Sequence, residues 1–596
     1  MLKQSIFLVC WAILGLQGFS QPLVYKQVKN VGDGYSSYPY GLTRYNNSVY
    51  FFASTSQTNA NYVGLWKTDG TEASTVLVKD SIGQGYEGGQ PQLLVWQDKL
   101  YFMGVQVIAD SMWAYLYTSN GTEAGTQVVK RSGRPLSIGG SDGAPASCLL
   151  VPFGNRLYFN FYDADGGMEP WFTDGTPAGT QMLLNISTDL ISGALPSSYP
   201  HGFTVFEGSL YFWANPITVS GTPTQLWKTD GTSAGTQLIR EFIDINFAYR
   251  RSRFVAYNGR LYFSAMQAPG SGYELWSTDG TSAGTTLLKE INPGTENQGD
   301  GVAFYFTGQV FKGKLYFWGF EPGTGHELWH TDGTANGTKI VLNTNPLSLA
   351  SINTQDLNEN PFFVFGSKMY YSNKDGQNGR EPWVTDGTAA GTMMLANVNP
   401  VGTGQNAQGS VFGSNSGFYV FNQQLHFRGN VSGGPEILRI DTTNNAVLRY
   451  SFEAPETGYV YCDIPFDLSN RYFDRFSMIE LNGKLIFPAG YSPTPASITS
   501  FDYELHSLAP PSTQTRPNRT GHLLHIYPQP AHNQLIVSGL EKINNRLTVT
   551  DFLGKTVIHL QEPAQHGDQL KLDIHDLRPG IYNLICGFAS TRFIVE

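Results

Sequence analysis

Apolar residues along this chain come in short runs, each entered through a tight polar turn. The runs are Val49-Tyr50-Phe51, Leu100-Tyr101-Phe102, Leu157-Tyr158-Phe159, Leu210-Tyr211-Phe212, Leu261-Tyr262-Phe263, Leu315-Tyr316-Phe317 and Met369-Tyr370-Tyr371. Two weaker copies follow at Leu425-His426-Phe427 and Leu485-Ile486-Phe487. Three consecutive apolar side chains suit a strand covered on both faces. The runs are too short for helices.

A second pattern keeps phase with the first: an apolar pair, a Thr, an Asp-Gly turn and Thr-x-Ala-Gly-Thr, as in Leu275 to Thr285. Its anchors are Trp66, Tyr117, Trp171, Trp227, Trp276, Trp329 and Trp383, spaced 49 to 56 residues apart. That period is the length of one four-stranded propeller blade. In the fifth unit, strands are predicted over Phe254–Tyr257, Arg260–Ala265, Tyr273–Thr278 and Thr285–Ile291, with turns at Asn258-Gly259 and Asp279 to Gly284. The expectation is an all-β fold, a large β-propeller of nine four-stranded repeat units, or eight if one weak copy is no blade, followed by a small β-sandwich. Unit nine lacks a fourth strand before the chain changes character. Leu23 to Val28 reads like Thr286 to Ile291, so residues 22–29 are predicted to complete the final blade and close the ring.

Composition supports this reading and narrows partners. Charged residues make up 14% against 13% aromatics and 66 glycines, a balance of folded, turn-rich β protein rather than disorder. The net charge of -10, without a basic stripe, argues against nucleic acid. Residues 1–20 read as a secretory signal peptide: Lys3, the apolar stretch Ile6 to Leu16, then Gly18-Phe19-Ser20. That stretch is too short to span a bilayer, and no transmembrane segment follows. Beyond the signal, Cys148, Cys462 and Cys586 supply no disulfide framework and no zinc spacing.

The expected domains are residues 21–508 for the propeller, 509–522 for a Pro- and Thr-rich linker, and 523–596 for the terminal sandwich. Three motifs in this tail, Tyr527-Pro528-Gln529-Pro530-Ala531, Asp551-Phe552-Leu553-Gly554-Lys555 and Leu577-Arg578-Pro579-Gly580-Ile581-Tyr582, resemble the C-terminal sorting domain of type IX secretion substrates. The resemblance implies export in two steps by the type IX machinery, giving a secreted or cell-surface protein of a Gram-negative bacterium; its carriers are Pro528, Pro530, Asp551, Gly554, Pro579, Gly580 and Tyr582. The repeat itself resembles the Glu-Leu-Trp-x-x-Asp-Gly-Thr repeats of large secreted bacterial proteins, a class that implies no particular chemistry.

Asp69, Asp174, Asp230, Asp279, Asp332 and Asp386 recur in identical context. Asp before Gly shapes a hairpin corner by accepting backbone N–H groups, and the second copy manages with Asn120, so a turn role is expected rather than catalysis. Trp66, Trp171, Trp227, Trp276, Trp329 and Trp383 are expected as blade packing. Antiparallel topology puts the repeated turns on one face and all variable segments on the other, where recognition is expected.

Candidate binding residues there are Tyr249, Arg250, Arg251 and Arg253, a basic cluster suited to anionic glycans, and Tyr472 and Phe473 within the aromatic stretch Tyr459 to Phe476. Asp163 to Glu169 has oxygen ligands at a calcium-like spacing, but an Asp-Gly hairpin without metal is the reading preferred. No catalytic motif, cofactor or metal site is expected. The functional expectation is a binding or adhesion protein taking an extracellular glycan or protein. The alternatives are a carbohydrate-active enzyme, whose carboxylates would come from different blades, and a purely structural surface protein.

Overall fold

The computed structural model describes residues 24–509 and 525–595. It leaves aside 32–36, 56–62, 84–92, 134–148, 189–196, 216–222, 244–253, 294–299, 345–361, 399–417, 450–458, 462–477, 493–501, 528–533, 539–546, 552–555, 561–568 and some stretches of three residues or fewer. The chain divides into two compact units, residues 1–511 and 512–596.

The first unit is a nine-bladed β-propeller. Eight blades are four-stranded antiparallel sheets in chain order, spanning 40–79, 94–131, 151–182, 201–243, 255–289, 308–342, 362–394 and 419–449. The fifth consists of Val255–Tyr257, Arg260–Ala265, Glu274–Thr278 and Thr286–Lys289. Its first turn places Asn258 and Gly259 both at positive φ, the left-handed pair whose twist matches the flanking strands. Asn46 and Asn47, and Asn482 and Gly483, repeat that geometry.

The ninth blade closes the ring. Ile479–Leu481, Lys484–Ser492 and Asp502–Ala509 supply three strands, and Val24–Lys29 pairs antiparallel with the last, Tyr25 opposite Leu508. The N-terminal segment is thus the missing fourth strand, as its likeness to Thr286 to Ile291 predicts. One strand has no counterpart in the sequence reading: Tyr459–Tyr461 pairs with the far end of Lys484–Ser492, making this sheet five-stranded.

Packing follows the pattern of the apolar runs. Leu100, Phe102, Leu157, Phe159, Leu261, Phe263, Leu315 and Phe317 are all fully buried. The apolar core divides into clusters shared by neighbouring blades; one joins Tyr262, Leu275, Phe317 and Trp329, and the closing one joins Val28, Val49, Phe51, Ile486 and Leu505. Trp171, Trp276, Trp329 and Trp383 are buried in such seams, whereas Trp66 and Trp227 are half-buried. A bulge beside the anchor recurs, between Leu275 and Trp276 and between Leu328 and Trp329, adding twist where third and fourth strands meet.

The second unit contains two sheets, one of three strands (His525–Tyr527, Gln534–Ser538, Gln569–Asp573) and one of four (Leu547–Asp551, Thr556–Leu560, Gly580–Cys586, Ala589–Val595). Leu535, Val549, Leu572, Ile574 and Tyr582 are its buried side chains among those described. His525–Tyr527 and Ala589–Val595 extend the set of strands read from the sequence.

Candidate functional site

The two faces of the ring are built differently. On the face of the repeated turns, Asp279 Oδ1 accepts the Thr281 N–H at 2.9 Å and the Thr281 hydroxyl at 2.7 Å. The Thr278 and Thr285 hydroxyls meet at 2.7 Å beneath the turn. The same network surrounds Asp174, Asp230, Asp332 and Asp386. The Thr hydroxyls hold these carboxyls below the usual carboxylate range, so they stay ionised and are poor general acids. Asn120 Oδ1 makes both bonds in the second blade, at 3.1 and 2.7 Å, so the turn needs an oxygen rather than a charge. In the first blade Ser74 stands where later copies have Gly, and its hydroxyl bonds Asp69.

These turns also fasten each blade to the one before. Tyr158 OH donates to Gly231 O at 3.2 Å and Tyr316 OH to Gly387 O at 3.4 Å, each from one blade's apolar run to the next blade's Asp-Gly turn. Fourth-strand cations do likewise: Arg240 reaches Thr285 O at 2.7 Å and Lys289 reaches Thr338 O at 2.6 Å. Lys29 of the N-terminal strand reaches Thr75 O at 2.9 Å. The same bond at the closing seam shows that Val24–Lys29 occupies a true fourth-strand position.

The opposite face carries the links between blades, and buried carboxylates hold them. Glu274, two residues before its Trp anchor, accepts the N–H groups of Ile291 at 2.7 Å and Asn292 at 2.9 Å. Glu169 accepts Ile186 N–H at 3.0 Å, Ser198 N–H at 3.0 Å and the Ser198 hydroxyl. Glu327 takes Thr344 N–H and its hydroxyl, and Glu381 takes Val398 N–H. Glu504 closes the series with Val31 N–H at 2.8 Å and the Ser37 hydroxyl at 2.7 Å. Three of these held links then bond the following blade: Asn215 N–H reaches Ser198 O, Phe320 N–H reaches Gly301 O, and Ser54 N–H reaches Ser37 O. Burial pushes the carboxyls of Glu169 and Glu274 up to about 7, against the hydrogen bonds that hold them down. Asp300, whose carboxylate accepts Tyr273 N–H at 2.8 Å, is pushed by burial to about 6.

Sequence reasoning passed over these glutamates, although the signal was present as Glu169, Glu274, Glu327, Glu381, Glu436 and Glu504, each two residues ahead of the anchor position. The backbone partners of Glu169, Glu274, Glu327 and Glu381 lie 17 residues downstream, beyond the motif itself. Glu169 also bears on the calcium-like segment: it is fully buried and turned to the link. No group of metal ligands occurs among the described residues. The candidate binding residues Tyr249, Arg250, Arg251, Arg253, Tyr472 and Phe473 lie outside the described residues. So do Pro528, Pro530, Gly554 and Pro579 of the tail, while Asp551 pairs with Tyr582, whose hydroxyl bonds Arg578 O at 2.8 Å.

Residues 525–594 match the family described as the secretion system C-terminal sorting domain. The tail therefore engages the type IX secretion machinery, and the protein is secreted or attached to the outer surface of a Gram-negative cell. No helix among the described residues is long and apolar enough to cross a membrane. No curated protein is significantly similar to the chain. Solved structures with some likeness include a puromycin hydrolase complexed with PGG, at 12% identity and a TM-score of 0.34 over 80% of this chain and 62% of that one. A Mycobacterium tuberculosis puromycin-hydrolyzing peptidase gives 10% and 0.33 over 80% and 62%. Pyrococcus horikoshii acylaminoacyl peptidase gives 12% and 0.28 over 68% and 56%. The chain thus spans less than two thirds of the length of these proteins.

Proposed function

We propose that this exported propeller is a binding or adhesion protein of the cell exterior, with its ligand taken on the face of the interblade links. The observation that carries this reading is the division of labour between the faces. On one, the motif carboxylates and hydroxyls satisfy each other within the turns and the glycine carbonyls take the neighbouring blade's tyrosines. On the other, long links of differing sequence are pinned at their roots by buried glutamates, giving loops of free composition on rigid supports. Arg250 and Tyr472, with their neighbours in sequence, remain the candidates for glycan contact.

A carbohydrate-active enzyme would need a pair of accessible carboxyl groups. Glu169 and Glu274 have suitably raised pKa values, but both are buried and spent on backbone amides. A glycan array probed with the secreted protein, beside a reducing-sugar assay on mixed polysaccharides, tests the reading. Saturable binding without release of reducing ends supports it; sugar release overturns it in favour of the enzyme, and silence in both favours a structural surface protein.

A further inference from the structure

We propose that the stack of Arg131 on Trp113, at the seam of the first and second blades, is a binding site for the anionic group of an acidic sugar. This rests on the reading of the link face as the binding face and names a site there. Arg131 lies at the end of the second blade's fourth strand, its guanidinium 4.2 Å from the Trp113 ring centroid. Trp113 packs in turn against the cluster of Phe52, Phe102, Tyr115 and Tyr117, so the indole is a fixed platform.

Register puts the participants on one face of the sheet. Gln106 is directly opposite Trp113, Tyr115 lies two residues on, and Arg131 is opposite Tyr115. The Gln106 amide is oriented by bonds to Ser81 O at 2.6 Å and Tyr117 OH at 3.0 Å.

Two comparisons within the ring single this arginine out. Arg156 and Arg240 also stack on aromatic rings, but each spends its guanidinium on a carbonyl of the next blade, Gly231 O and Thr285 O. Arg131 is exposed, and among the described residues no carboxylate lies within ion-pair distance of it. The second comparison is positional. The residue after the fourth-strand cation is Asp80, Glu241 or Glu290 in other blades, and Arg131 alone of these four reverses the charge. An arginine flattened on indole keeps its N–H edge directed outward, which presents a bidentate fork to a carboxylate or sulfate at little further entropic cost. The exposed Ile108, two residues beyond Gln106 on the same strand, adds apolar surface for the sugar ring.

The test is calorimetric titration of the whole secreted protein with trigalacturonate, a sulfated trisaccharide and neutral maltotriose. Salt-sensitive binding of an anionic trisaccharide is expected, accompanied by a change in tryptophan fluorescence, and the two anionic arms decide between carboxylate and sulfate. Arg131→Gln, which keeps much of the stem, should weaken it at least tenfold without moving the thermal midpoint; Arg131→Lys should fall between, since it keeps charge but loses the fork. Equal affinity in Arg131→Gln, or equal binding of maltotriose, overturns the site. If the glycan array is positive while Arg131→Gln binds unchanged, this site fails and the broader reading stands. If neither the array nor the titration shows binding, both fail.

Discussion

Glu504 accepts a hydrogen bond from the backbone N–H of Val31, 473 residues earlier in the chain, at 2.8 Å. The bond repeats what Glu274 does for Ile291 only 17 residues away. The ninth blade therefore uses the same clamp as the others, with the chain's two ends taking the roles of strand and link. Lys29 and Thr75 O repeat the outer fastening in the same way. Ring closure is the one seam that cannot form until both ends of the propeller are present.

Glu504→Ala removes the carboxylate that accepts from the Val31 N–H, the Ser37 N–H and the Ser37 hydroxyl. The expected cost is about 2–4 kcal/mol, the penalty for losing several hydrogen bonds to one buried carboxylate. A protein beginning at Gly32, lacking the closing strand, should lose at least as much, because Asp502–Ala509 then exposes an unpaired edge. Denaturant unfolding measures both. A truncated protein with unchanged stability would show that the ring holds by side-chain packing alone.

The buried glutamates set a pH dependence. The fold raises Glu169 and Glu274 from 4.5 to about 7 and Asp300 from 3.8 to about 6, so it favours their protonated forms. Their contribution to stability is complete below the ordinary carboxylate values and is lost as pH rises through 6 to 7. It amounts to on the order of 3 kcal/mol for each glutamate. The motif aspartates, shifted downward, contribute fully above 3.8 and do not disturb this window. Thermal midpoints should therefore be higher at pH 5 than at pH 8, and Glu169→Gln should make the decline shallower. An identical slope in the variant would rule out Glu169 as a titrating group.

Asp279→Asn should be nearly neutral, within about 0.5 kcal/mol, because Asn120 already fills this role in the second blade. Asp279→Ala loses both acceptor bonds and should cost about 1–2 kcal/mol. If the Asn variant abolishes a binding or catalytic activity while keeping its stability, the carboxylate itself acts in that activity.

Much of the fold is legible from local rules. The period, the three-residue apolar runs and the Asp-Gly turns locate the strands because each feature acts within a few residues. What escapes is what depends on distant partners. The role of Glu274 becomes visible only when the link beyond the fourth strand folds back upon it. The strand Tyr459–Tyr461 reads in sequence as part of an aromatic surface, because its partner, Lys484–Ser492, comes only after a long intervening segment. The Arg131 stack escaped for a similar reason: Trp113 and Arg131 are joined through Tyr115 across a third strand, while clusters contiguous in sequence, such as Arg250 to Arg253, draw the eye first.

Gly280 meets two demands at once, and a double-mutant cycle separates them. Its φ of +87° strains any residue with a Cβ, and that Cβ would sit 2.1 Å from the Tyr211 hydroxyl of the preceding blade. Gly280→Ala should therefore destabilise by about 2–4 kcal/mol, more than backbone strain alone, which is on the order of 1 kcal/mol. Tyr211→Phe removes the clashing oxygen; the next ring atom is 3.3 Å away, a tight contact that a small shift relieves. The double variant should then recover about 1–2 kcal/mol relative to additivity. Strict additivity of the two substitutions would show that the glycine is required by its turn alone, and that the tyrosine does not set how closely adjoining blades approach.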